Sequence, residues 1–191
     1  MIEVEIKFRV PDRALIDRLV AHAGLEFGPA QRQRDLYFNH PQRCFRETDE
    51  ALRIRTTGDE NALTYKAPRL DTFTRTRPET EIPFASGPQT ADQLRSVLLA
   101  LGFREIAAVE KQRRTARYSH VGQAVEVTLD EVTGLGQFLE IEMLVEETAW
   151  EAARDQIVAL ATQWEILDLR EPKSYLRMLL ESPNGESLLN P

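Results

Sequence analysis

The feature of this sequence that most restricts its fold is the alternation of apolar and charged residues along short segments. The first such segment, residues 2–8, reads IEVEIKF, so apolar residues occupy every second position. Side chains of a β-strand point to alternate faces, and this pattern therefore predicts a strand with one dry face and one polar face. Strands are also expected at residues 35–38, 52–56, 63–66, 74–82, 109–118, 124–130 and 138–144. Because most of their connections are short, we expect an antiparallel sheet of about eight strands.

Helices are expected between some of these strands, which makes the fold class α+β. An apolar stripe predicts a helix over residues 12–23, and capping-box patterns at residues 90–93 and 148–151 predict two more. A short helix is expected to begin near Pro172. A Glu-x-Glu strand followed by a helix recurs near residues 1–75 and 76–146, which suggests two related halves. We expect a single domain over residues 1–181 and a loose tail over residues 182–191.

Composition excludes several classes of protein. The formal net charge of −7 argues against a nucleic-acid-binding protein, whose contact face is usually basic. No apolar run approaches the roughly 20 residues that a membrane helix needs. The alternating charges of the first ten residues do not resemble a secretory signal, and the single cysteine, Cys44, fits a reducing compartment. We therefore expect a cytoplasmic protein with no membrane partner.

The charged face of the strands has two interpretations. It is either an ordinary solvent-exposed face with salt bridges between strands, or the lining of a binding site. Glu-x-Glu pairs place like charges side by side, and a divalent cation would relieve their repulsion. Nearly every other strand carries paired Arg or Lys on the same face, and such groups facing acids across a closed sheet would hold a polyphosphate. In that arrangement the helices would cover the apolar outside of a barrel.

The order of the motifs resembles the CYTH superfamily, the triphosphate tunnel metalloenzymes. The Glu3-x-Glu5-x-Lys7 pattern is similar to the signature at the start of that domain, and the segment from Phe45 to Arg55 resembles its class IV adenylyl cyclase-like branch. Further matching segments follow in family order as far as residue 181: LTYK at 63–66, VEKQRR at 109–114, LDEV at 129–132, FLEIE at 138–142 and KSY at 173–175. The resemblance implies an eight-stranded, mostly antiparallel β-barrel that forms a tunnel, with helices packed on the outside.

The resemblance also implies roles for individual residues. The expected ligands of Mg²⁺ or Mn²⁺ are Glu3, Glu5, Asp130, Glu140 and Glu142. The expected phosphate-binding residues are Lys7, Arg53, Arg55, Lys66, Arg77, Lys111, Arg113 and Lys173, with Lys173 at the tunnel end. Glu5, Lys7 and Arg113 are the expected catalytic residues. Glu81 is either a further acid or the partner of an arginine, while Arg75 and Arg117 are expected to form surface pairs. Arg114 is expected to be exposed, and Cys44 to be a bystander.

The implied function is that of a divalent-metal-dependent enzyme that processes a triphosphate. The cyclase-like branch favours conversion of ATP to cyclic AMP and pyrophosphate. A triphosphatase that hydrolyses the terminal phosphate of thiamine triphosphate or inorganic triphosphate stays open, because the same tunnel serves both reactions. A third possible function is that of a non-catalytic triphosphate-binding module. The family further implies a homodimer.

Overall fold

The computed structural model describes residues 1–183. Within them, eight strands form one sheet: β1 (Ile2–Arg9), β2 (Gln31–Asn39), β3 (Ala51–Thr57), β4 (Glu60–Lys66), β5 (Arg77–Phe84), β6 (Arg104–His120), β7 (Gln123–Val132) and β8 (Gly136–Val145). Five helices accompany them: α1 (Arg13–Ala23), α2 (Phe45–Thr48), α3 (Pro88–Ala100), α4 (Trp150–Gln163) and α5 (Tyr175–Leu180). Two 3-10 turns, Glu147–Ala149 and Leu167–Leu169, flank α4. The expected tail falls mostly on residues 184–191, which lie outside the described part of the chain.

The sheet closes into a barrel with the strand order β1-β5-β4-β3-β2-β6-β7-β8, and every neighbouring pair is antiparallel. The predicted barrel is therefore confirmed. Two three-stranded meanders, β2-β3-β4 and β6-β7-β8, each follow a strand–helix unit, as the two sequence halves suggested. Each meander ends against the first strand of the other half, since β4 pairs with β5 and β8 pairs with β1.

Apolar side chains cover the outside of the barrel, and α1 and α4 pack on them. The outward residues of β1 are fully or almost fully buried in the main apolar cluster, together with Leu19 of α1 and Ile157 of α4. A second cluster lies around Phe38 and Leu98, between the β2–β3 face and α3. The polar residues of each strand are thereby left to face the barrel interior. Among the helices of residues 1–183, none is long and apolar enough to cross a bilayer.

The helix ends differ from the capping-box predictions. Helix α3 begins at Pro88 behind Gly87, and the Thr90 hydroxyl donates to the Ser86 carbonyl within its first turn. Proline is favoured at the first helical position because its fixed φ suits the helix and it has no N–H to satisfy. Helix α4 likewise begins at Trp150 without a side-chain cap, after a 3-10 turn. Both capping boxes were therefore wrong.

Helix α3 buries only a narrow part of its apolar surface against the barrel. Leu98 is 7% exposed, but Val97 is 53% and Leu101 is 65% exposed. The pattern at residues 90–93 predicted a helix here but could not show how much of it the barrel covers, because that depends on the distance to the sheet. The turn between β7 and β8 contains Gly134 and Gly136, whose φ of 77° and 97° favours glycine.

Candidate active site

The barrel encloses a cavity of about 660 Å³ that is lined by charged residues. All eight strands contribute side chains to it, and α2 and α5 contribute others at its rim. The acids and bases therefore face inward, which is the inverse of a barrel with an apolar centre. Of the predicted site residues, all but Asp130 are among those that line the cavity. Asp130 lies fully buried just behind the lining.

One basic centre is built around Asp130. Arg113 Nε donates to Asp130 Oδ1 at 2.7 Å, and Lys111 Nζ donates to Oδ2 at 3.0 Å. The Tyr175 hydroxyl of α5 donates to the same Oδ2 at 3.0 Å. Arg113 also pairs with Glu140. Burial alone would raise the pKa of Asp130, but the charges of Arg113 and Lys111 hold it below its usual value. Asp130 therefore orients two cations, and we name it with Lys111 and Arg113 the Asp130 centre.

A second basic centre is built around Asp35, which is 1% exposed. Arg55 donates two hydrogen bonds to its carboxylate, both at 2.7 Å, and Arg53 donates a third at 3.2 Å. Burial opposes ionisation of Asp35, but Arg53 and Arg55 outweigh burial and hold its pKa well below the usual range. A fork-to-fork contact fixes a guanidinium in one plane. The Asp35 centre thus presents two arginines to the cavity in a fixed orientation.

Lys66 connects the basic and acidic sides of the cavity. Its ammonium group lies 2.7 Å from Glu3 Oε2 and 2.5 Å from Glu79 Oε2. Burial disfavours its charge, yet the pKa of Lys66 is raised because Glu3 and Glu79 surround it. The sequence did not assign a role to Glu79, although its parity placed it on the charged face. In the structure Glu79 is the partner of Lys66, a predicted phosphate-binding lysine.

Lys7 is buried deeply at the centre of the site, with 2% of its side chain exposed. Its ammonium lies 3.3 Å from Glu140 Oε1 and 3.9 Å from the centroid of the Tyr175 ring. Burial and the nearby Arg75 lower the pKa of Lys7, against the opposing effect of Glu140. The Lys7 ammonium also donates to the Lys173 carbonyl at 3.4 Å, so three different groups hold this cation at the cavity lining. This position is consistent with the predicted role of Lys7 in phosphate binding and catalysis.

An acidic cluster of Glu3, Glu5 and Glu142 lies on the β1–β8 side. Glu5 and Glu142 are direct cross-strand partners, an arrangement in which like charges repel. Among residues 1–183 Glu142 forms no ion pair within 4.0 Å, and burial together with the charges of Glu3 and Glu5 raises the pKa of Glu142 to about 8. Glu3 and Glu5 pair with Lys66 and Arg75, so within residues 1–183 Glu142 is the carboxylate of this cluster without an ion pair, and a divalent cation with oxygen ligands would fit beside it.

The five predicted metal ligands thus fall into two groups. Glu3, Glu5 and Glu142 lie together on the β1–β8 side, where Glu3 and Glu5 each pair with one basic residue of another strand or loop, whereas Asp130 and Glu140 each bind two basic side chains. Across residues 1–183 no three His, Cys, Asp or Glu side chains already converge as a metal centre. The chemistry of the donor set favours the first group as ligands, with the second group orienting the cations.

Arg75 corrects a prediction. It was expected on the surface, but its Nε lies 3.2 Å from Glu5 Oε1 inside the cavity, with 12% of the side chain exposed. Arg75 precedes β5 in a loop, and its N–H donates to the Glu5 carbonyl at 2.7 Å, as a strand would. Strand parity placed Arg75 on the same face as Arg77, and the surface prediction, which followed its weaker match to the family pattern, was wrong. Arg117 and Arg114 are exposed, as expected.

The remaining predicted residues lie near the cavity rim or outside its centre. Arg77 is 5% exposed and faces the carbonyls of Asp49 and Ala67 at 3.5 Å. Lys173 pairs instead with Glu181 at 2.7 Å, with 47% of its side chain exposed. Its carbonyl lies 3.4 Å from Lys7 Nζ, so the backbone, not the ammonium group, reaches the centre. Glu81 is exposed and accepts from the Thr64 hydroxyl at 3.0 Å, so its partner is not an arginine.

Two important residues, Asp35 and Tyr175, were not predicted as part of the site. Asp35 opens a strand whose other residues, LYF, are apolar, so it looked like a strand end. Tyr175 fitted the apolar face of a short helix. Each residue places one polar group next to apolar residues in the sequence. Such groups are usually hydrogen-bonded when they are buried, and this pattern is the sequence signal that could have identified both.

Replacing Glu142 by Gln is expected to stabilise the metal-free protein at alkaline pH. Because the folded pKa of Glu142 is raised, the folded state holds a proton that the unfolded state releases, and stability falls as pH rises from about 4.5 to 8. The neutral amide removes that loss. We expect the melting temperature at pH 8.5 with chelator to rise by about 2 °C or more, with little difference near pH 4.5.

Glu131→Gln provides the matched control, because Glu131 is exposed on the same sheet and lies on its outer face. Thermal unfolding of both variants across this pH range makes the comparison. A Glu142→Gln variant that melts below the parent at pH 8.5 would show that this carboxylate is already compensated, and would remove the electrostatic case for a cation site.

Comparisons with known proteins agree with this geometry. The model of the CYTH domain family matches residues 1–177. The chain belongs to the CYTH family. Membership confirms the expected class of enzyme, of lyase or hydrolase type. The match spans all eight strands and reaches into α5, so the CYTH domain includes both the barrel and the helix that contributes Tyr175.

Three similar proteins illustrate the relationship. A protein of Methanocaldococcus jannaschii named as a candidate adenylate cyclase is 36% identical over 147 residues, covering 77% of this chain and 79% of its own. The adenylate cyclase CyaB of Aeromonas hydrophila is 27% identical over 183 residues, covering 94% and 90%. The solved structure of the PH1819 protein from Pyrococcus horikoshii is 36% identical with a TM-score of 0.80, and covers 94% of this chain and 98% of its own.

Proposed function

We propose that this CYTH protein is a divalent-metal-dependent adenylate cyclase that converts ATP to cyclic AMP and pyrophosphate. The observation that carries the proposal is the charge layout of one cavity: two basic centres lie beside an acidic cluster in which Glu142 has no ion-pair partner among residues 1–183. A triphosphate needs the bases, and its metal needs the acids. The names of two relatives favour the cyclase over other triphosphate chemistry.

The basic centres act as the triphosphate clamp. Asp35 fixes Arg53 and Arg55, and Asp130 fixes Lys111 and Arg113, before the ligand arrives. Donors that are already oriented do not reorganise during the reaction, which makes them effective at stabilising developing charge. In the proposed reaction the ribose 3′ hydroxyl attacks the α-phosphorus, and the bond to the bridging oxygen breaks. The clamp then holds the pyrophosphate as it leaves.

Glu3, Glu5 and Glu142 would hold Mg²⁺ or Mn²⁺. The ion supplies positive charge at the phosphate oxygens when bound. Lys7 lies between this cluster and Glu140, with its ammonium 3.9 Å from Glu5 Oε1. From there it is suited to contact the phosphate group that reacts, because it lines the cavity beside the acidic cluster. Arg113 would stabilise the charge on the leaving group.

Product analysis tests this proposal. Purified protein is given ATP with Mg²⁺ or Mn²⁺, and cyclic AMP with pyrophosphate is separated from ADP with phosphate. Cyclic AMP supports the proposal. ADP with phosphate assigns a triphosphatase instead, with thiamine triphosphate and inorganic triphosphate as the next substrates. Absence of product from all three, with binding retained, leaves a triphosphate-binding module. The single thiol and the ligand chemistry suit the cytoplasm, and a homodimer is part of the proposal that size measurement in solution checks.

Replacing Arg55 by Ala is expected to weaken triphosphate binding about tenfold to a hundredfold while leaving adenosine binding within about twofold. Arg55 contributes two hydrogen bonds to the Asp35 centre, and its guanidinium lies at the cavity surface. Titration calorimetry with tripolyphosphate and with adenosine measures both. Arg55→Lys keeps the charge but loses the fork and should show an intermediate effect. Equal weakening of both ligands would contradict a phosphate role.

A further inference from the structure

One end of the charged cavity has an apolar surface. Four half-buried side chains line it there, Tyr37 of β2, Ile106 of β6, and Leu176 and Leu180 of α5, and we name them the apolar wall. Ile106 and Leu180 belong to none of the three apolar clusters of the described chain. Both therefore line the cavity outside these apolar clusters, although most of that cavity is lined by charges.

A β-bulge places Ile106 in the wall. The pairing of β2 with β6 shifts between Tyr37, which opposes Ala107, and Phe38, which opposes Glu105, so Ile106 has no partner on β2. Counting alternate residues back from Lys111 would put Glu105 inside and Ile106 outside. The opposite is found, since Glu105 pairs with Arg95 of the outer helix α3 and Ile106 lines the cavity. Bulges beside active sites commonly redirect a side chain in this way.

The wall is continuous with the triphosphate clamp. The Tyr37 hydroxyl lies 3.5 Å from Arg53 Nη1, at the edge of the Asp35 centre. Tyr175, which precedes Leu176, hydrogen-bonds Asp130 at 3.0 Å. Both sides of the wall are therefore attached to residues of the basic centres. A ligand whose phosphates lie in the clamp would bring the group at its other end against the wall.

We propose that the apolar wall binds the heteroaromatic ring of the triphosphate substrate. Inorganic triphosphate has no group that would use this surface, whereas the base of ATP, or the ring system of thiamine triphosphate, presents a flat apolar face joined to a triphosphate. The inference rests on the proposed function, because it assigns the ring end of the same substrate. The wall offers surface contact without a hydrogen-bonding pattern, so it distinguishes triphosphates with a ring from those without one.

The test compares ligands with and without a ring. Titration calorimetry measures binding of α,β-methylene-ATP and of tripolyphosphate to the full chain and to Ile106→Ala, Leu180→Ala and the double variant. We expect the double variant to bind the ATP analogue about tenfold more weakly and tripolyphosphate within about twofold of the parent. Leu179→Ala is the matched control, since Leu179 is the neighbouring leucine of α5 and packs into an apolar cluster instead of lining the cavity.

The outcomes separate the inference from the function it rests on. Equal weakening of the ligands with and without a ring, or unchanged binding of both the ATP analogue and thiamine triphosphate, would overturn the ring site while leaving the triphosphate clamp in place. Binding of neither ligand to the unaltered chain would overturn the proposed function and the ring site together. Thiamine triphosphate is measured by competition, and a loss for it alone supports a ring site whose natural ligand is the thiamine ester.

Discussion

Glu5→Gln is expected to abolish metal-dependent turnover, lowering kcat by about a thousandfold or more, while the protein stays folded. Glu5 belongs to the acidic cluster, and it faces Glu142 across the β1–β8 pair. The amide keeps the shape of the side chain but removes one anionic ligand. The substitution removes the repulsion with Glu142 but also the ion pair with the buried Arg75, 3.2 Å from Glu5, so the melting temperature of the metal-free variant is expected to fall modestly.

Two measurements make this prediction specific. Steady-state kinetics with ATP and Mn²⁺ gives the loss of turnover, and calorimetry with Mn²⁺ alone gives the loss of metal affinity, expected to be about tenfold or more. Glu131→Gln, on the outer face of β7, controls for the loss of one negative charge. Retained activity with retained Mn²⁺ affinity would remove Glu5 from the metal site. Lost activity with retained affinity would reassign it to the reacting groups.

Asp35→Asn is expected to be the most destabilising of these substitutions. Asp35 is 1% exposed and neutralises two arginines, of which Arg53 is 7% exposed. Removing one partner of a buried ion pair leaves an uncompensated charge, which costs about 3–5 kcal/mol. Urea unfolding at pH 7 measures the difference in the free energy of unfolding. Asp59→Asn, in an exposed turn, is the control and should be nearly neutral.

The direction in which stability changes with pH follows from the lowered pKa of Asp35. The folded pKa of Asp35 lies well below its unfolded value, so its contribution is present above about pH 4 and is lost as pH falls further. The difference in the free energy of unfolding between the parent and Asp35→Asn should therefore shrink between about pH 5 and pH 3, because this range spans the pKa of about 3.9 of an aspartate in the unfolded chain. A variant within about 1 kcal/mol of the parent at pH 7 would show that Glu79, 3.9 Å from Arg53, already supplies the compensation.

The alternation of side chains along each strand predicted which residues share a face of the sheet. It assigned Glu3, Glu5 and Lys7 to one face of β1, and the closed barrel places that face inside. It did not reveal the partners of these residues. Lys66 of β4 reaches Glu3 because β1 meets β5 only at Ile2 and Glu3, and β4 lies just beyond β5. That relation depends on how the strands are staggered when the sheet closes, which no single strand encodes.

Predictions from local sequence patterns were wrong at a helix boundary and at a loop residue. The motif at residues 90–93 had the right residue types for a cap, but Pro88 began α3 earlier. Arg75 had the right parity, but its weaker match to the family pattern led to a surface prediction; in the structure it lies in a loop that pairs with β1 at a single point. Loop positions are fixed by the elements around them, and a periodic pattern contains no information about those neighbours.

The sequence by itself determined that this chain forms strands with one apolar and one charged face, and which residues share each face. This follows because the two-residue period of a strand is a local property. Only the tertiary structure decided that Asp35 and Asp130 each organise a basic centre, that Glu142 has no ion-pair partner within residues 1–183, and that Ile106 turns into the cavity. Ion pairing, burial and a bulge all depend on the neighbouring strand, and barrel closure alone determines that neighbour.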